Sequence, residues 1–196
     1  MILQRIKGVF TLTRDVLREI EQDESATSQA ALIVLAVAIL AGIGAAGATA
    51  VGGAALESVS GLTGDLDLPI FVPAFNTVGA FVNAFVVTFV SWFLWSLVTY
   101  LIGVKVFHGE ATVSEMLRVI GFAQAPRMLS VLGFIPCIGA VLSLIGWVWA
   151  VIASFIAIQE GLDLDGGKSL ATILLSIIVV VIVNAFVISP ILNLVF

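Results

Sequence analysis

Long apolar runs alternate along this chain with short polar links, and the first residues follow a different rhythm from the rest. Ile2, Leu3, Ile6, Val9, Phe10, Val16, Leu17 and Ile20 recur at helical spacing, with Arg5, Lys7, Arg14 and Arg18 around them. Residues 1–24 therefore predict a cytosolic amphipathic segment, broken near Thr11 to Thr13. It either lies in the inner membrane surface or packs on the cytosolic ends of the spans that follow. Residues 25–196 form the membrane domain, with spans expected at about 29–51, 78–104, 116–135, 138–158 and 170–195.

The division between the third and fourth spans is the least obvious. From Met128 to Gln159 there are 32 residues without a charge. That is too long for one ordinary span of ~20 residues and too short for two. Pro136 to Gly139, reading Pro-Cys-Ile-Gly, predicts a tight turn. The helix before it must then reach back to about Met116, carrying Gln124, Pro126 and Arg127 towards the bilayer.

Composition agrees with the pattern. The chain is 61% hydrophobic and 11% charged, against roughly 25% charged in soluble domains, and belongs to an all-α, polytopic membrane bundle. One cysteine, Cys137, leaves no internal disulfide. A net charge of −5 without a basic stripe argues against nucleic acid. No cleavable signal peptide is evident, since the first long apolar run starts near Gln29. With the N-terminus inside, Arg5, Lys7, Arg14, Arg18, Lys105, Arg118 and Lys168 fall on or beside cytoplasmic segments. A five-span, multi-pass protein of the cell membrane, N-terminus cytoplasmic and C-terminus external, satisfies the positive-inside rule. A four-span reading would move only Lys168 outside.

Three groups of residues stand out. Ala38, Gly42, Ala46 and Ala50 make a small-xxx-small row in the first span, suited to close helix packing in lipid. Trp92 and Trp95 near the middle of the second span read as packing residues rather than an interfacial belt. Gln124, Pro126 and Arg127 form a candidate intramembrane polar site. Pro126 frees a backbone carbonyl, and spans 3 and 4, folded about Pro136, place Arg127 opposite Gly146, with Trp147 and Trp149 as candidate aromatic partners. The competing reading starts the helix later and lets Arg127 snorkel to the interface.

Other motifs carry little. Gly-Gly-Lys-Ser at Gly166 to Ser169 lacks the first glycine and the preceding strand of a phosphate-binding loop, and reads as a turn with Ser169 capping the next helix. His108 has no second histidine, and Asp65 and Asp67 read as a solvated loop. No cofactor, metal or catalytic group is expected.

The order of three segments is nonetheless specific. Glu-Met-Leu-Arg-Val-Ile-Gly-Phe-Ala-Gln-Ala-Pro at Glu115 to Pro126 precedes Ile-Pro-Cys-Ile-Gly at Ile135 to Gly139 and Gly-Trp-Val-Trp at Gly146 to Trp149, with Lys168 before the last span. Together these resemble the Yip (Ypt-interacting protein) domain family, in a short prokaryotic-type form. The resemblance implies a helical membrane protein, and with no catalytic motif in the chain a non-enzymatic one is expected. Eukaryotic members carry a long cytosolic N-terminal region and an Asp-Leu-Tyr-Gly-Pro motif before the first span. Here about 25 residues precede that span, and Asp65-Leu-Asp-Leu-Pro69 lies after it. These departures weigh against the family's GTPase partners. The expected role is membrane organisation or remodelling, with the lipid bilayer, a second copy or other membrane proteins as partners. The alternative is a small transporter or lipid-translocating protein.

Overall fold

A computed structural model describes residues 2–63, 76–188 and 190–191. Seven α-helices occur among them: α1 (Ile2–Phe10), α2 (Arg14–Gln22), α3 (Ala26–Thr63), α4 (Thr77–Lys105), α5 (Val113–Ala123), α6 (Ile138–Gly161) and α7 (Gly166–Val183). A 3-10 helix, Ala125–Phe134, joins α5 to α6, and a π-helical turn, Asn184–Ile188, follows α7. Asp65, Asp67, Pro69 and Pro73, and the chain beyond Ile191, lie outside the described residues.

Among the described residues four helical segments are long and apolar enough to cross a membrane: Ala26–Ala55, Thr77–Lys105, Ile138–Gly161 and Gly166–Ile188. The expected fifth, 116–135, differs. Its α-helix ends at Ala123 and the chain continues as ten residues of 3-10 helix. Pro126 is the physical reason. It has no N–H to give the carbonyl four residues back, so the winding tightens, with Arg127 N donating to Gln124 O at 2.9 Å. The first long helix also outruns its expected end near Val51, because Ala54 to Val59 contain no proline and Gly52-Gly53 weakens a helix without stopping it.

Close contacts give the path of the chain. Gly121 abuts Ala30, Gly44 abuts the Ser130 carbonyl, and Gly47 abuts Phe134, so α5 and the 3-10 helix advance alongside α3 in the same direction. The turn at Pro136–Cys137, with Cys137 at φ 62°, reverses the chain. Gly139 then meets Leu132 and Gly133, Gly146 meets Pro126 and Leu129, and Gly161 meets Met116. This is the antiparallel hairpin expected from the sequence.

The small residues of α3 serve two neighbours. Gly42 faces Phe81 of α4, whereas Gly44 and Gly47 face the 3-10 helix. Of the expected row, Ala46 is half-buried and Ala50 is exposed, so close packing ends before Ala50. Trp92 and Trp95 are buried, and the Trp92 indole N–H donates to Leu117 O at 3.2 Å. Asp165, not Ser169, caps α7, accepting from Gly167 N and Lys168 N. Aspartate caps as well as serine, and Asp165 stands one turn ahead of Ser169, so the helix starts there.

Candidate functional site

Two polar regions are set into this apolar bundle. The larger is a collar of α1, α2 and α5 around the end of the bundle where α3 and α7 begin and α4 and α6 finish. Gly8 brings α1 against Val16 of α2, and Leu12 takes φ 56° in the turn between them. Buried Arg5 donates to Glu19 at 2.8 Å, to Asp23, and to Gln29 at 3.1 Å. Burial alone would lower the Arg5 pKa, but Asp23 and Glu19 outweigh it and leave it raised. Asp23 is held down at about 2 by hydrogen bonds from Ser25 and from Arg5. Burial pushes the Glu21 carboxyl up, aided by Asp163 and Glu115 and opposed by Arg118 and Arg18.

Glu160, at the last turn of α6, joins the collar to the bundle. It is 4% exposed and receives Arg14 and Arg18, each at 2.7 Å. On α5, a Thr112–Glu115 capping box starts the helix. Arg118, also buried, donates to the Glu21 carbonyl, to Ser114 and to Thr27. The amphipathic segment is thus two helices that pack on the bundle. The roles of Glu160 and Arg118 were missed there. A single acid within one turn of an apolar span's end, facing a basic N-terminal helix, was the available signal.

The second region surrounds Arg127. Its guanidinium donates to Gln124 Oε1 at 2.9 Å, so the recorded bond goes to a side chain and not to a carbonyl freed by Pro126. At Gly146 it is the Pro126 backbone, rather than the guanidinium, that comes close: a Cβ there would lie 2.7 Å from Pro126 O. Arg127 and Trp147 line one cavity of about 160 Å³, together with Ser91, Trp95, Ile177, Val180 and Val181. Trp149 is not among its lining residues. Its indole N–H donates to Phe10 O at 3.1 Å, tying α6 to the end of α1. Near the cavity, Ser91 donates to Asn184 Oδ1 at 3.1 Å.

A helical bundle with four membrane-competent helices defines a multi-pass membrane protein. A family model described as the Yip1 domain matches residues 7–188. The chain belongs to the Yip1 domain family. No curated protein and no solved structure matches it.

Proposed function

We propose that this chain is a non-enzymatic membrane-organising protein whose collar displaces lipid in one leaflet. One observation carries the reading: the end of α1 bonds to Trp149, the twelfth of the 24 residues of α6. At 1.5 Å per residue that is roughly 18 Å from Gly161, well below the end of the span. On the outward side of α1, Leu3 (77% exposed), Lys7 and Phe10 follow one another at helical spacing. At that depth Leu3 and Phe10 face acyl chains, while the long side chain of Lys7 snorkels towards the headgroups of an anionic leaflet. A helix seated in one leaflet adds area there alone and favours curvature.

In this reading the α5–3-10 segment is a further crossing, giving five, with the N-terminus cytoplasmic and the C-terminus outside the cell membrane. The collected basic residues at the collar end support that orientation. Protein partners are a second copy or other membrane proteins meeting the lipid-facing helices. Reconstitution of the full chain into vesicles containing anionic lipid tests the idea. Electron cryo-microscopy should show smaller or tubular vesicles for the native chain and not for Leu3→Glu/Phe10→Glu, whose side chains support no core packing. Unchanged vesicle shape with solute or lipid flux would favour the transporter reading instead.

A further inference from the structure

From the Arg127 cavity we infer a binding site for an amphiphile with an anionic oxygen head and an alkyl tail. Its position comes first. At about 1.5 Å per residue, Trp95 lies roughly 15 Å from Lys105, Trp147 roughly 21 Å from Gly161, and Val180 roughly 21 Å from Gly166. Three helices thus place the cavity at a similar depth, within the apolar part of the bundle.

Its chemistry is unbalanced. The ion pairs among the described residues lie at the collar end, on Arg5, Arg14, Arg18 and Arg118, and none involves Arg127. A guanidinium has five N–H donors, and the recorded bond to Gln124 Oε1 uses one of them. Trp95, which is 8% exposed and lines the same cavity, has an indole N–H without an acceptor among the described residues. The nearby Ser91 hydroxyl is already committed to Asn184. Donors are therefore in excess, one carries a full charge, and no carboxylate among the described residues pairs with it. A carboxylate or phosphate offers acceptors only, binds the guanidinium fork in a bidentate manner, and neutralises a charge that the bilayer interior would otherwise oppose.

The walls indicate where the rest of the ligand goes. Ile177, Val180 and Val181 form an apolar side, and Val181 and Trp147 are 59% and 47% exposed on the lipid-facing surface. The opening between α6 and α7 therefore faces hydrocarbon. A volume of about 160 Å³ holds a small anionic head, while the tail remains among the lipid chains. A fatty-acid carboxylate and a phospholipid phosphodiester share this chemistry.

Short-range quenching by brominated lipids reads occupancy directly. In full-length protein carrying Trp147→Phe/Trp149→Phe, the remaining tryptophans are the buried Trp92 and Trp95, and an aromatic ring stays at 147. A dibrominated fatty acid, dibrominated phosphatidylglycerol and dibrominated phosphatidylcholine are titrated separately in detergent micelles. Saturable quenching by at least one anionic probe, at about tenfold lower mole fraction than by phosphatidylcholine, is expected. Which anionic probe acts identifies the source, and competition by inorganic phosphate would show that the head alone suffices. Arg127→Gln should abolish the preference. Val181→Phe, which fills the cavity mouth and leaves Arg127 in place, should weaken it as well and serves if Arg127→Gln does not fold. Equal quenching by all three lipids, or a preference unchanged in the folded variants, overturns the inference.

Discussion

Glu160→Gln isolates what attaches the collar to the bundle. The substitution keeps the size and shape of the side chain and removes its charge. Native Glu160 is buried and holds two guanidinium groups at 2.7 Å, but Arg14 and Arg18 are 56% and 59% exposed. On loss of the carboxylate both arginines return to water at little cost, so the severe penalty of stranding a buried charge does not arise. What is lost is two charge-assisted bonds, each discounted because one partner is solvated; together they contribute about 1–2 kcal/mol. The remaining contacts of α2, through Leu17 and Ile20, persist. Local opening of α1 and α2 should therefore become about 5–30-fold more frequent, while the bundle keeps its stability. Amide hydrogen exchange followed by mass spectrometry resolves the two regions. Unchanged protection across residues 2–22, or an equal loss throughout α3 to α7, would refute the assignment of Glu160 as the attachment point.

The clasp between α1 and α2 should respond to acid. Asp23 sits at about 2 in the folded chain against ~3.9 when unfolded, so its stabilisation is complete above about pH 4 and is lost as pH falls from there towards 2. Asp23→Asn should flatten hydrogen exchange of α1 over that window, and an identical pH profile in both proteins would count against it. Gly44→Leu should cost about 1–3 kcal/mol or more by forcing bulk against the Ser130 carbonyl, whereas Ala50→Leu, at an exposed position, should be near neutral. Equal melting temperatures in detergent would remove the close-packing argument. Cys137, exposed in the turn far from the collar, should react with an impermeant maleimide from outside intact cells. Lys7→Cys in a Cys137→Ser background should react only after permeabilisation; labelling of both from one face excludes the five-crossing path.

Periodicity and composition alone determined the class of protein, the four continuous spans and the hairpin at Pro136. The reason is that lipid imposes long apolar segments with internally satisfied backbones, and both requirements are local properties of sequence. The span expected at 116–135 was read as one helix, and its change to 3-10 winding after Ala123 emerged only in the structure. The fate of the amphipathic segment was not local. How α2 docks on the bundle depends on Glu160, 146 residues from Arg14 in the chain, and helical spacing is the same whether it docks or not. The same holds for Trp149, whose partner is Phe10 and not Arg127, and for Gly44 and Gly47, which face a different neighbour from Gly42. Rotation of one helix about its axis by a fraction of a turn decides each of these contacts. Only the packed bundle, where each small residue admits a particular neighbour, sets that rotation.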